Sequence, residues 1–502
     1  MLRCAFVLTL SFFLECSGNS EIPPNIVFIL ADDLGWDDVS FHGSRQVPTP
    51  NIDALASDGI ILDNYYVHTL CSPSRGALMT GKHPIQIGLQ RGVIMPAQPS
   101  GLGLKEKLLP EYLNTLGYKS HMVGKWHLGM CAEEYTPMHR GFESHFGFYQ
   151  GCESYTTHMC GNSGLDFWLN EEPDHSAGGQ YSTSLFTAKA EQLLAEHDTA
   201  SPMFLYLAHQ AVHVGNQDQK FYAPDKYTDK LSFISDDRRR QMAGMLTALD
   251  ESVGKVTKAL HAKGMLENTI IVFSSDNGAP HIGNSDHTVG SNFPLRGGKP
   301  SIWEGGSRVP AFVWSPLFKK SGYISKQLMH ISDWLPTLLQ AAGYDTSALP
   351  TNLYGVSQWQ TLQENGPSPR DSVLYNVIAG CKDKSWALRV GDMKLLRAQG
   401  KSKKNAGWYQ PFSSDILSQP KSRDPAIISV VPAELLQSQV TPILRELGRG
   451  EKSSSTEHRI DCGAPPAGVV YNCIGMDKPC LFNITADPCE YHNLANDMPE
   501  IA

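Results

Sequence analysis

Two stretches of the chain are apolar from end to end and stop at paired acidic or amide residues. Asn25–Ala31 (NIVFILA) runs into Asp32-Asp33, and residues 268–275 (NTIIVFSS) run into Asp276-Asn277. Unbroken apolar runs of this length suit strands covered on both faces, as in a mainly parallel sheet. Residues 203–209 (MFLYLAH) and 309–314 (VPAFVW) have the same texture. Helix-like stretches lie between and around them, at 104–116, 181–197, 236–263 and 332–342. The alternation predicts an α/β fold, a large mostly parallel or mixed sheet flanked by helices. In open sheets of this kind ligands bind beyond the carboxyl ends of the strands. Both acidic pairs occupy such ends, so two distant parts of the chain are expected to bring oxygen ligands to one crevice. Taken singly, each pair is equally readable as a helix cap or a turn.

After about residue 345 the texture changes. Residues 373–378, 385–390 and 393–397 read as short strands of a smaller antiparallel sheet, and residues 480–484 (CLFNI) as one more. Residues 398–461 are polar, with Pro, Ser and a basic cluster at Lys401, Lys403 and Lys404, and read as a long loop or insertion. The chain therefore divides into a targeting segment (1–20), a principal domain (21–345) and a smaller C-terminal domain (346–502). In the first of these, Arg3 precedes an apolar run over residues 4–14, followed by small polar residues at Ser17–Ser20. That run is too short to span a bilayer, so it reads as a cleaved signal peptide, with a membrane-anchored form as the alternative. No later stretch is long and apolar enough to cross a membrane.

Composition narrows the classes. With 502 residues, 41% hydrophobic and 19% charged, the chain is an ordinary globular protein with room for two domains. A formal net charge of -9 argues against non-specific nucleic-acid binding. The 18 histidines would reverse that sign in an acidic compartment, where a polyanionic substrate is better tolerated. Of the 11 cysteines, Cys4 and Cys16 fall in or beside the signal. With Cys71 set aside for chemistry, an even set of eight remains, compatible with disulfides in an oxidising compartment. Cys152 and Cys160 are close enough in sequence to close a small loop and are the favoured pair. Asn483-Ile484-Thr485 is an N-glycosylation sequon, with Asn483 as the acceptor.

The most informative segment is Cys71-Ser72-Pro73-Ser74-Arg75, followed by Leu78-Met79-Thr80-Gly81. It resembles the sulfatase signature C-x-P-S-R. Residues 117–127 (GYKSHMVGKWH) resemble the second signature of that family. Thr69 is a small departure, at a position where the family more often has Pro, Ser, Ala or Gly. The resemblance runs from about Asn25 to about Leu494. It implies an alkaline-phosphatase-like fold and a sulfuric ester hydrolase. It also implies that a formylglycine-generating enzyme oxidises Cys71 to Cα-formylglycine in the secretory route. The hydrated aldehyde is a geminal diol: one hydroxyl attacks sulfur, and the other then expels sulfate, so that a hard displacement is split in two.

Asp32, Asp33, Asp276 and Asn277 are hard oxygen donors, which suit calcium or magnesium better than zinc. The resemblance implies one Ca2+ ion, with modified Cys71 as a further ligand. It assigns Lys125 and Lys299 to sulfate binding and Arg75 to orienting the diol. Asp276 would accept the attacking proton, His213 would bind substrate and protonate the leaving oxygen, and His127 would assist sulfate release. His209, near the same strand end as His213, is read as structural. Within the family the likeness is strongest to the branch of arylsulfatase B, the N-acetylgalactosamine-4-sulfatase, and its invertebrate relatives. The carrying residues are 31–39 (ADDLGWDDV), 294–299 (PLRGGK) and 303–306 (WEGG). The implied partners are sulfated glycans, here the 4-sulfates of chondroitin and dermatan, or small aryl sulfates, in the lysosome or outside the cell. The alternatives are another sulfatase specificity (aryl or 6-sulfate), a phosphatase or phosphodiesterase of the same superfamily, and a catalytically silent glycan-binding protein.

Overall fold

Side chains of successive strand residues point to opposite faces of a sheet, and here both faces are buried. In β1 (Asn25–Ala31) every residue is buried. Val27 and Ile29 enter one core, while Ile26, Phe28 and Leu30 enter the other. This is why the sequence run is unbroken rather than alternating. The computed structural model describes residues 22–161, 164–216, 220–280, 289–379, 384–398, 406–409, 431–450, 458–466, 469 and 479–502. The targeting segment and the basic cluster at Lys401, Lys403 and Lys404 lie outside the described residues.

The other strands of the large sheet are β2 (Ile60–Leu62), β4 (Lys119–Lys125), β5 (Ser144–Phe148), β6 (Trp168–Leu169), β7 (Glu172–Pro173), β8 (Met203–Ala208), β9 (Thr269–Ser275), β10 (Ala311–Trp314) and β11 (Tyr323–Ser325). Their order is β11-β2-β10-β9-β1-β8-β4-β5-β6-β7. The centre is parallel: β1 pairs with β9 and β8, and β4 pairs with β8 and β5. β10 runs antiparallel to both β9 and β2, so the sheet is mixed. The pair β3 (Tyr65–Tyr66) and β12 (Met329–His330) forms a two-stranded ribbon. A separate antiparallel sheet is made by β13 (Ser372–Ala379), β14 (Lys384–Val390), β15 (Met393–Arg397) and β16 (Cys480–Asn483).

Helices cover both faces. α1 (Pro50–Asp58), α4 (Ser182–Glu196), α6 (Asp237–Ala262) and α10 (Val440–Glu446) pack on the face of Val27 and Ile29. α2 (Cys71–Thr80), α3 (Leu109–Leu113), α8 (Trp334–Ala341) and α9 (Trp359–Glu364) pack on the other. Two single turns, α5 (Asp225–Thr228) and α7 (Glu304–Ser307), complete the set used below. The helical reading of 104–116 starts too early: Leu108 and Glu111 open the helix at Leu109, where Pro110 fits the first turn. Within the stretch read as a polar insertion, α10 sets Val440, Ile443 and Leu444 into the core beside α1 and α6. Three apolar residues at helical spacing suffice to dock it. The small sheet has its own core, in which Val373, Tyr375, Ala387, Leu396 and Phe482 meet Tyr66, Ile302 and Trp303 of the larger unit.

Candidate active site

The register of β1 and β9 pairs Ala31 with Ser275, so Asp32-Asp33 and Asp276-Asn277 leave the sheet side by side. All four side chains are buried. Asp33 takes a left-handed backbone (φ 60°), which turns its carboxylate back over the strand end. Its amide donates to Asp276 Oδ1 at 3.3 Å. Strand β4, separated from β1 by β8, delivers Lys125. It can approach β8 closely because residue 124 is glycine, with φ 103°; a Cβ there would sit 1.9 Å from the Ala208 carbonyl oxygen.

Cys71 opens α2 and is 2% exposed. Its Sγ lies 3.6 Å from Asp32 Oδ1, and Lys299 Nζ approaches it to 3.1 Å. Three cations balance the carboxylates. Arg75 donates through Nε and Nη2 to Asp276 Oδ2 at 3.0 and 2.8 Å and through Nη1 to the Lys125 carbonyl at 2.8 Å. Lys125 is hydrogen-bonded to Asp32, and Lys299 Nζ lies 2.6 Å from Asp33 Oδ1. For Asp32 and Asp33 burial alone would raise the pKa. The facing cations outweigh it, Lys125 and His213 for Asp32 and Lys299 and His213 for Asp33, and hold both carboxyls below the usual range.

The thiol itself is poorly suited to chemistry. Burial, and then Asp276, push Cys71 up to about 12, so it stays protonated at any physiological pH. Thiolate, not thiol, is the nucleophile and the metal ligand.

Two histidines face this cluster. His127 has φ 59°, and its Nε2 donates to the Ile94 carbonyl at 2.9 Å. Its buried Nδ1 has no partner. Burial, reinforced by Lys125 and Arg75, holds its pKa well below the ordinary histidine value. Neutral His127 thus offers Nδ1 as an acceptor. His213 donates from Nδ1 to the Val214 carbonyl at 2.6 Å, which turns Nε2 toward the cluster, 3.7 Å from Asp33 Oδ2.

Donor atoms of Asp32, Asp33, Cys71 and His213 all lie within 4.8 Å of one another, a group able to hold a metal ion. Asn277 sits beside them, its Nδ2 donating to Asp33 Oδ1 at 2.6 Å. Its Oδ1 is buried without a partner. A buried, unsatisfied amide oxygen costs free energy unless something completes it, and a hard cation does so. The residues present fit calcium.

Residues 24–344 match the family described as Sulfatase. The chain belongs to the sulfatase family. Arylsulfatase J of Mus musculus is 43% identical over 384 residues, covering 75% of this chain and 62% of the relative. N-acetylgalactosamine-6-sulfatase of Mus musculus is 34% identical over 359 residues, covering 67% and 66%. The chain thus spans about two thirds of the length of these curated relatives. Among solved structures, Ps i-CgsB in complex with k-i-k-neocarrahexaose superposes with a TM-score of 0.71 at 26% identity, over 95% of this chain and 90% of that one.

The crevice therefore brings together Asp32, Asp33, Cys71, Arg75, Lys125, His127, His213, Asp276, Asn277 and Lys299 in this sulfatase-family chain. His209 is fully buried at the end of β8, where its Nε2 meets Ser252 Oγ at 3.0 Å. The disulfide expected between Cys152 and Cys160 is not formed in this structure. Both are free thiols, and their side chains are in mutual hydrogen-bond contact. Proximity in sequence brought the sulfurs together without joining them. The disulfide seen is Cys462–Cys489, across 27 residues, and Cys480 is also disulfide-bonded. Asn483 ends β16, and its side-chain oxygen accepts from the Ala486 amide at 3.0 Å.

Several supporting residues carry no sequence signal. Ser72 Oγ accepts the Ile94 amide at 3.1 Å, so the loop whose carbonyl holds His127 is pinned to the start of α2. Asp38 accepts from buried Arg239 at 2.7 Å and from the Ser291 amide at 3.0 Å, fixing the turn after Asp33. These are long-range contacts with no local pattern to announce them.

Proposed function

We propose that this chain hydrolyses sulfate esters of a glycan, in the lysosome or outside the cell. The observation that carries the reading is a buried cysteine set among three cations and four oxygen-bearing side chains where β1 and β9 end side by side. Such a cysteine is pointless as a thiol and useful as the precursor of another group. Conversion of Cys71 to formylglycine would supply a hydrated carbonyl as nucleophile, and calcium held by Asp32, Asp33, Asp276 and Asn277 would polarise the ester.

The chain's own residues do the rest. Lys125 and Lys299 bind the sulfate oxygens and neutralise charge that builds up in the transition state. Each is now engaged with an aspartate that a cation would occupy in its place. Arg75, tied to Asp276 and the Lys125 carbonyl, fixes the orientation of residue 71 one helical turn away. Asp276 Oδ1 accepts the attacking proton. His213 Nε2 carries the proton for the leaving oxygen, with Nδ1 committed to a carbonyl, and His127 Nδ1 accepts a proton as sulfate departs. Beside Asp33 lies a small apolar cleft lined by Val212, Val214, Phe221, Met242 and Pro280.

For the sulfate position, the motifs at 31–39 and 294–299 carry the resemblance to the 4-sulfatase branch, whereas the relatives found are an arylsulfatase J and an N-acetylgalactosamine-6-sulfatase. The identity to N-acetylgalactosamine-6-sulfatase favours a second reading, the 6-sulfate. Defined 4-sulfated and 6-sulfated galactosamine saccharides, assayed in parallel, decide between them. For the reaction class, the test is peptide mass spectrometry around Cys71 on protein made in cells with the formylglycine-generating enzyme, coupled to p-nitrophenyl sulfate and phosphate assays. An aldehyde at residue 71 with sulfate preferred is expected. Full activity with an unmodified thiol, or phosphate preferred over sulfate, would overturn the proposal.

A further inference from the structure

We infer that Cys152 and Cys160 form a redox-active dithiol in the wall of the active site, and that its conversion to a disulfide displaces His127 and His213. The inference rests on the sulfatase reading for the roles of those two histidines, and on geometry for everything else.

The segment that carries the two cysteines, residues 151–161, touches both histidines. At its start Gly151 lies against His127: a Cβ at that glycine would come within 2.9 Å of both Cε1 and Nε2 of the ring. Next to Cys152, Glu153 is clamped to Gln210, its amide donating to Gln210 Oε1 at 2.8 Å and its carbonyl accepting from Gln210 Nε2 at 2.9 Å. The Gln210 carbonyl in turn accepts the His213 amide at 2.8 Å. Tyr155 Oη donates to the His213 carbonyl at 2.8 Å. At the far end the Gly161 amide donates to Asn216 Oδ1 at 3.0 Å, and Asn216 Nδ2 returns a bond to the Met159 carbonyl.

The loop between the thiols is stiff. Buried Glu153 accepts from Ser182 Oγ at 2.7 Å and pairs with His158 Nδ1 at 3.2 Å, while His158 Nε2 bonds the Ala177 carbonyl at 3.0 Å. A disulfide holds its sulfurs about 2 Å apart, well inside thiol–thiol contact. Closing that gap moves residues 152 and 160 toward each other. A loop pinned at Glu153 and His158 passes the movement to its neighbours, Gly151 against His127 and Gln210 against His213. Misplacement of catalytic groups by an ångström can cost up to about 100-fold in rate.

The chemistry is ordinary thiol–disulfide exchange with a low-molecular-weight disulfide such as oxidised glutathione. Half-buried Cys152 attacks one sulfur of the oxidant and releases one thiol. Buried Cys160 then attacks the mixed disulfide at the Cys152 sulfur and releases the second. Two electrons pass to the oxidant, and the two cysteine protons leave with the released thiols.

The experiment starts from enzyme already shown to carry the aldehyde and to hydrolyse p-nitrophenyl sulfate, so failure of the sulfatase reading declares itself before the titration begins. That enzyme is equilibrated in glutathione buffers of increasing oxidation, trapped by alkylation and mapped by peptide mass spectrometry, with kcat and its pH profile read on the same samples. We expect a 152–160 disulfide to form as kcat falls by about 3- to 100-fold and the profile shifts, both reversed by thiol. Cys152→Ser and Cys160→Ser should each lose the redox response, while Cys131→Ser, which removes an exposed thiol elsewhere, keeps it. Failure of the pair to oxidise, oxidation with unchanged kcat and pH profile, or a response abolished by Cys131→Ser would overturn the inference.

Discussion

Two buried ionic clusters in this molecule have similar compositions and opposite designs. At the strand ends, Asp32, Asp33 and Asp276 face Lys125, Lys299 and Arg75. Between the large unit and the small sheet, Glu304 and Glu490 face Lys394, with Arg308, Arg389, Tyr66 and Tyr375 around them. In the second cluster the partners close on one another. Lys394 Nζ lies 2.9 Å from Glu304 and 2.8 Å from Glu490; Tyr375 and Tyr66 donate to Glu304 at 2.5 and 2.8 Å; Glu490 accepts the Glu304 amide at 2.9 Å. Lys394, Glu304 and Glu490 are fully buried. In the first cluster the partners leave work undone. Asn277 Oδ1 and His127 Nδ1 have no partner, and Lys299 and His213 keep 14% and 15% side-chain exposure. A closed network holds two units together, whereas an open one waits for ligand. Burial of charge alone does not distinguish them; the route to solvent at Lys299 and His213 does.

The sharpest way to break the comparison is to remove the proposed nucleophile. Cys71→Ala should lower kcat by at least about 1,000-fold while the thermal midpoint stays close to that of the parent. A comparable loss of stability would mean that the first cluster is structural too. Next, His213→Ala should cost about 100- to 10,000-fold on a glycan sulfate and visibly less on p-nitrophenyl sulfate, whose leaving group needs little protonation. Equal losses on both substrates would remove His213 as the acid.

The structural cluster should respond the other way. Lys394→Met strands two buried carboxylates and should destabilise by about 3–5 kcal/mol, read as a lowered thermal midpoint, with kcat per folded molecule kept. The same cluster gives a pH signature. Burial, with Glu304 adding, pushes Glu490 up to about 7, so the native state binds a proton that the unfolded chain has released. By linkage this contribution is complete below about pH 4.5 and is lost as pH rises toward 7. Glu490→Gln should flatten the thermal-midpoint curve over that window relative to the parent, and an unchanged slope would refute the assignment. The smallest effect is expected at His209. It is buried and bonded to Ser252 at 3.0 Å, and His209→Asn should change kcat by less than about threefold, measured on p-nitrophenyl sulfate.

Much of the site was legible because it is built from strand ends. Asn25–Ala31 and residues 268–275 announce buried strands, and a parallel sheet puts their carboxyl ends at one edge. The signature around Cys71 and the run to His127 supplied Cys71, Arg75, Lys125 and His127, and the family resemblance supplied His213 and Lys299. What stayed hidden has no local pattern. Nothing in the sequence near Ile94 says that its carbonyl holds His127, and nothing near Gln210 says that it clamps Glu153 and His213. The antiparallel β10 was also invisible as such, since an apolar strand buried on both faces reads alike in either direction. The Cys152–Cys160 pair was half legible: spacing brought the residues into contact, and the redox state of the sulfurs is not a property of spacing.

The sequence by itself determined the layers of the fold, the residues at the strand ends and the family, because apolar periodicity and a short motif are local and survive in one dimension. Only the tertiary structure decided which charges are closed off and which atoms are left open. That depends on desolvation and on partners up to hundreds of residues apart. Electrostatic character is a property of the assembled environment, so Lys125 and Lys394 differ in role although each is a buried lysine beside a carboxylate.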